Sequence, residues 1–182
     1  MRRYFCSFFY TMVLSYSSGV SVLNGSVVCV GANNGSVLLF LMNETNKIQF
    51  DETSNETIHK RPITDLVSDQ QNTLISSDDS GKICISIYKD SRLQPNSSFE
   101  GYNGFSCNCL TLFKNYLCAG YGSGHLRVFD IQNKKIISEV SAHAKWVTAI
   151  DVAPETGLIL STSEDSFVRI WKLCEQNNSL KY

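Results

Sequence analysis

Four segments of this 182-residue chain share one layout, and their spacing limits the fold more than any other feature. They are Val30–Phe40, Ser76–Ser86, Ala119–Phe129 and Ser161–Trp171. Each passes through a turn rich in Gly, Asn, Asp or Ser, then alternates apolar residues and closes on an aromatic residue or its substitute. The closing positions lie 46, 43 and 42 residues apart. A short aliphatic run precedes each turn, at Val27–Val30, Thr73–Ser76, Tyr116–Cys118 and Leu158–Leu160. The unit is therefore strand, tight turn, strand, because these turn residues tolerate left-handed and Asx geometry. Beyond the turn, Val37 and Leu39, Ile83 and Ile85, Leu126 and Val128, and Val168 and Ile170 fall on one side of their strands. A further strand is predicted before each hairpin, at Val20–Leu23, Ile63–Val67, Cys109–Phe113 and Val147–Val152. A fourth follows at Lys47–Phe50 and Lys135–Val140.

Composition agrees with an all-β chain and removes several functions. Alanine occurs only six times, whereas Ser, Thr, Val, Ile and aromatics are plentiful, so an all-helical fold is disfavoured. A net charge of −1 argues against a chain that grips nucleic acid through bulk charge. No segment is long and apolar enough to span a membrane as a helix.

Candidate chemistry is weak at every other motif. The seven cysteines, Cys6, Cys29, Cys84, Cys107, Cys109, Cys118 and Cys174, contain no C-x-x-C pair, which leaves zinc and dithiol chemistry unsupported. Several sit in apolar strands and read as buried free thiols of a reducing, cytoplasmic compartment. Asp78-Asp79-Ser80 lacks the further oxygens of a calcium loop and reads as a polar turn. Gly120, Gly122 and Gly124 have neither the helix nor the Lys of a phosphate loop. His143, Ser161 and Asp165 are the residue types of a hydrolase triad, but Ser161 lies mid-strand with no nucleophile elbow. The reading is of a non-enzyme with no metal and no cofactor. One alternative stands beside it: a secreted, glycosylated all-β enzyme or lectin-like module. Arg2-Arg3 before the apolar run Tyr4–Leu14 has the outline of a signal peptide. Six N-x-S/T sequons begin at Asn24, Asn34, Asn43, Asn55, Asn96 and Asn177.

Four strands every forty-odd residues is the spacing of a propeller blade. From about residue 20 to 173 the chain resembles the WD40-repeat β-propellers, and the fourth repeat carries the most specific match. His143 stands four residues before the strand opening at Val147, and Ser161, Asp165 and Trp171 follow at the family's spacing. The resemblance implies that these four side chains form a structural hydrogen-bond tetrad. The second repeat keeps only His59 and Ser76, with Ser80 and Ser86 in the places of Asp and Trp. The first and third offer Asn34 with Phe40 and Ser123 with Phe129, and no matching His.

The expected organisation is a leading strand-like segment over 1–19, repeats at about 20–50, 59–100, 105–140 and 143–173, and a polar tail at 174–182. Four blades make an incomplete ring, since propellers of this kind mostly need about seven, so a fragment or short form of a larger propeller is expected. Open edges of such an arc would favour self-association. The resemblance further implies a scaffold for proteins or peptides. Its expected contact face carries Lys145 and Trp146 before the fourth repeat's first strand, Glu164 beside the tetrad Asp, and Arg61 and Asp79 in the second repeat. An exposed Trp among charges is a plausible binding hot spot.

Overall fold

The computed structural model describes residues 17–42, 48–50, 56–174 and 179–181. Most of the leading segment and the sequons at Asn43, Asn55 and Asn177 lie outside them. Every described element is a strand, and the strands form four antiparallel sheets in chain order. Blade 1 is β1 (Ser17–Leu23), β2 (Val27–Ala32), β3 (Ser36–Met42) and β4 (Ile48–Phe50), with β5 (Glu56–Thr57) pairing on β3. Blade 2 is β6 (Ile63–Ser68), β7 (Thr73–Asp78), β8 (Ile83–Lys89) and β9 (Arg92–Phe99). Blade 3 is β10 (Cys107–Phe113), β11 (Tyr116–Tyr121), β12 (His125–Asp130) and β13 (Lys135–Ser141). Blade 4 is β14 (Val147–Ala153), β15 (Leu158–Ser163), β16 (Val168–Cys174) and β17 (Ser179–Lys181).

Two features depart from the sequence reading. β17 is the outer strand of blade 4, where the sequence had suggested only a polar tail. Its three residues offer a single apolar side chain, Leu180, too little for an alternation signal. The opening strand of every blade also breaks register near its start, at Ser17/Val20, Ile63/Asp65, Cys107/Cys109 and Val147/Ala149. A bulge that recurs at one place in four sheets is part of the design of the unit, because it bends and twists the innermost strand.

The core lies between blades. The rear face of each of blades 1 to 3 packs on the front face of the next, and the strand alternation supplies both faces. Cys29, Val37 and Leu39 of blade 1 meet Ile63, Leu66 and Leu74 of blade 2. Ile75, Ile83 and Ile85 of blade 2 meet Leu110, Leu117 and Phe129 of blade 3. Cys118, Leu126 and Val128 of blade 3 meet Ile150, Ile159 and Trp171 of blade 4. Polar groups add to the seams. Asp65 accepts from its neighbour Leu66 N and, across to blade 3, from Leu110 N, both at 2.8 Å. Burial raises the Asp65 carboxyl above its usual range, against the lowering effect of those two N–H groups.

The segment entering each new blade crosses the hairpin of the one before. His59 N donates to Gly35 O (3.0 Å) and His143 N to Gly124 O (2.9 Å). Gly35 and Gly124 sit at φ +84° and +82°, a region that glycine occupies without steric cost.

Candidate functional site

The fourth blade assembles the four residues expected of it into one chain of hydrogen bonds. Trp171 Nε1 donates to Ser161 Oγ at 2.8 Å. Ser161 Oγ lies 2.8 Å from His143 Nε2, and His143 Nδ1 lies 3.0 Å from Asp165 Oδ2. The indole N–H donates to the serine oxygen, whose hydroxyl can in turn donate to Nε2, while His143 Nδ1 faces both the Asp165 carboxylate and Arg169 Nη1, the latter at 2.8 Å. Asp165 also accepts from the N–H groups of Ala144 and Phe167, each at 3.0 Å, and from Arg169 at 3.2 Å. Burial works to raise its carboxyl, but those N–H groups, His143 and Arg169 outweigh it and hold the group well below the usual carboxylate range. Arg169 was not singled out in the sequence; it lies four residues after Asp165, with its guanidinium over the Phe167 ring. Trp171→Phe is expected to cost about 2 kcal/mol in urea unfolding, through one lost hydrogen bond and a partly refilled cavity.

Blade 2 holds a variant of this chain. His59 Nδ1 lies 2.8 Å from Asp78 Oδ2 and Nε2 lies 2.7 Å from Ser76 Oγ. This corrects the sequence reading, in which Ser80 stood at the acid's place and Asp78 was only a turn residue. Asp78 ends β7 two residues after Ser76, so strand alternation aims both at the same histidine. Ser80 is instead bound to Asp78, through N (2.9 Å) and Oγ (2.6 Å) to Oδ1. Burial works to raise the Asp78 carboxyl, and hydrogen bonds from His59 and Ser80 reverse it, leaving a net lowering. The Trp position is Ser86, whose buried Oγ has no hydrogen-bond partner.

Blade 3 has no such histidine and uses a cation. Arg127 is buried with its guanidinium carbon 4.7 Å from the Tyr102 ring centre and 5.4 Å from that of Phe129. Its Nε lies 3.0 Å from Glu139, across the β12–β13 pair.

The expected contact residues gather on one face. Arg61 Nε donates to Asp79 Oδ1 at 3.0 Å, and Glu164 N donates to Trp146 O at 3.1 Å. Lys145 is exposed beside them, its carbonyl accepting from Ser163 Oγ at 3.2 Å. Trp146 is 54% exposed and forms one wall of a cleft of about 470 Å³. The lining also includes Phe105, 44% exposed, which the sequence reading passed over because it stands alone beside a turn. Asp79, Thr64, Asn108 and Gly122 also belong to the lining. Three polar side chains of the lining are already engaged. Ser106 Oγ donates to Asn108 Oδ1, Asn108 Nδ2 donates to Val147 O, and Thr64 Oγ1 donates to Cys107 O. Hydrogen-bonded polar side chains beside two half-exposed aromatics suit an inserted side chain, and none of these lining residues is set beside a base that would activate a nucleophile. Of the predicted residues, Trp146 and Asp79 line the cleft together; Arg61 reaches it through Asp79, and Lys145 and Glu164 flank it.

The profile of the WDR54 family matches residues 11–182. The chain belongs to the WDR54 family. WD repeat-containing protein 54 of Mus musculus is 33% identical over 154 residues, covering 80% of this chain and 45% of the mouse protein. The Homo sapiens protein of that name is 29% identical over 172 residues, covering 90% of this chain and 50% of its own. The chain thus spans about half the length of the curated WDR54 relatives it matches. Among solved structures, the β-propeller domain of Cps50 (Swd1) from Myceliophteria thermophila superposes with a TM-score of 0.72 at 16% identity, over 87% of this chain and 51% of that one. The match shows a β-propeller fold, in agreement with the four-blade arrangement. Among the described residues no helix is long and apolar enough to cross a membrane.

Proposed function

We propose that this WDR54-family chain is a non-catalytic scaffold that takes protein or peptide segments into the Trp146–Phe105 cleft, as part of a larger propeller assembly. The observation that carries the reading is the pair of half-exposed aromatic side chains, Trp146 and Phe105, lining one cleft with Ser106, Asn108 and Thr64, whose side chains are already hydrogen-bonded. Such a site rewards an apolar or aromatic anchor side chain, and charges at the rim, here Arg61, Asp79, Lys145 and Glu164, select its flanks. A catalytic role for His143, Ser161 and Asp165 is disfavoured, because Ser161 is only 1% exposed and its oxygen is occupied by the Trp171 indole. A net charge of −1 also speaks for protein rather than nucleic-acid partners. A reducing, cytoplasmic location is supported by the thiols. Cys29, Cys109 and Cys118 are buried, unpaired and pushed up to about 12 by burial.

The test is selection of binders from a random peptide library on the immobilised chain, followed by titration of synthetic peptides. Anisotropy of a fluorescent label on the peptide serves as the probe, so that parent and Trp146 variants are read in the same way. Trp146→Ala is expected to weaken the selected peptides at least about tenfold while leaving the thermal melt unchanged, as befits an exposed anchor. Equal affinity for both proteins would sink the cleft assignment.

A further inference from the structure

The same cross-strand pair recurs in every blade. Cys29 opposes Leu39, Ile75 opposes Ile85, Cys118 opposes Val128, and Leu160 opposes Ile170. In blades 1 to 3 these rear-face pairs are 0–1% exposed, pressed against the front of the next blade. In blade 4 Leu160 is 43% and Ile170 54% exposed. Val168, at the position of the fully buried Val37, Ile83 and Leu126, is 60% exposed.

The front of blade 1 shows the complementary imbalance. The pairing places Val20 where blades 2 to 4 have Leu66, Leu110 and Ile150. Those three are 5–9% exposed, whereas Val20 is 65% exposed. Beside it Val22 is exposed, and so is Ile48, paired with Met42 on the same face. Phe40 and Phe50 pack against each other on that face, their rings tilted at 46° with centres 5.2 Å apart. The molecule thus carries both halves of an interface that it already makes three times, one half at each end of the arc.

We propose that these two faces belong to an assembly of two copies: the rear of blade 4 in each copy docks on the front of blade 1 in the other, closing two arcs into one ring. A second copy offers each face the partner that the neighbouring blades already provide, so the junction continues the interblade packing. The curvature is suitable, because the arc superposes on about half of a solved propeller domain. Two head-to-tail junctions related by a two-fold axis satisfy all four faces and stop growth at the dimer. Apolar residues at these densities rarely stay uncovered in a stable soluble chain.

Light scattering on the purified 182-residue chain tests this. The expected mass is twice 20.4 kDa. Ile170→Glu and Val20→Glu, both at exposed positions, should each raise the dimer dissociation constant at least about a hundredfold while a cooperative melt is retained. Mixing the two variants leaves one junction wholly unaltered, so association should return to a level between either variant and the parent. A monomeric parent would overturn the proposal, as would open-ended aggregates. So would a dimer lost in Ile170→Glu but indifferent to Val20→Glu, since that would be a rear-to-rear pair. Peptide affinity at Trp146 is read separately and does not bear on these outcomes.

Discussion

Gly124→Ala is expected to cost about 4 kcal/mol or more and to unseat blade 4 from blade 3. A methyl group there would stand 2.1 Å from His143 O and 2.8 Å from Lys145 O, both backbone atoms that cannot swing aside. The residue also sits at φ +82°, where a side chain adds about 1–2 kcal/mol. Overpacking of this kind adds about 1–3 kcal/mol, and here it also breaks the donation of Ala142 N and His143 N to Gly124 O. The control is Gly25→Ala. Its φ is +66°, yet nothing lies within 4 Å of the added carbon, so only the backbone term remains, about 1 kcal/mol. Urea unfolding of both variants separates the two terms. A Gly124→Ala cost no larger than that of Gly25→Ala would show that the crossing segment does not clamp the hairpin.

The second large effect is an alkaline loss of stability that traces to His59. In blade 4 the Ser161 oxygen is shared between the Trp171 N–H and His143, and the Arg169 cation lies 2.8 Å from His143 Nδ1. In blade 2 Ser86 replaces Trp, and no indole competes for Ser76 Oγ. His59 Nε2–H is then free to donate to Ser76 while Nδ1–H donates to Asp78, and two donating nitrogens mean an imidazolium. Burial works to lower the His59 pKa, but the hydrogen bond to Asp78, with Cys84 nearby, raises it from 6.5 to about 9. The folded value lies above the unfolded one. The contribution is therefore complete below pH 6.5 and disappears as pH rises through about 9. The interval corresponds to about 3 kcal/mol at full effect. Asp78 works in the other direction: its lowered pKa adds stability above its ordinary 3.8, which is lost as pH falls. Chemical denaturation of the parent and of His59→Gln between pH 6.5 and about 9 measures the difference. The parent should lose stability across that range and the variant should not. Parallel curves would show that folding adds no second ring proton to His59. The comparison must be a difference, since the buried thiols add their own loss at higher pH.

What could be read in the sequence follows from how local each signal is. The hairpins of all four blades were legible because their turn residues and alternating apolar positions lie within a dozen residues. The fourth blade's His143, Ser161, Asp165 and Trp171 were legible because a match at four positions is specific. Asp78 was missed because blade 2 sets its carboxylate two residues after Ser76 instead of four, and a fixed spacing does not register a geometric substitute. Strand parity alone would have found it. Arg127 escaped because its stabilising partners, Tyr102, Phe129 and Glu139, lie on a loop and two different strands. The cleft is a product of three neighbouring units: Asp79 from blade 2, Phe105 and Gly122 from blade 3, and Trp146 from the entry to blade 4. Only the assembled arc juxtaposes them. The bulges left no trace, because a bulge changes register and leaves composition unchanged.

The buried thiols have one more consequence. Cys29 lies in the seam between blades 1 and 2, Cys107 in that between blades 2 and 3, and Cys118 in that between blades 3 and 4. Burial holds all three well above the ordinary thiol range, so an alkylating reagent can reach them only when their own seam opens. Each joint therefore carries its own clock. The order in which the three sulfurs are labelled in native buffer gives the order in which the joints come apart.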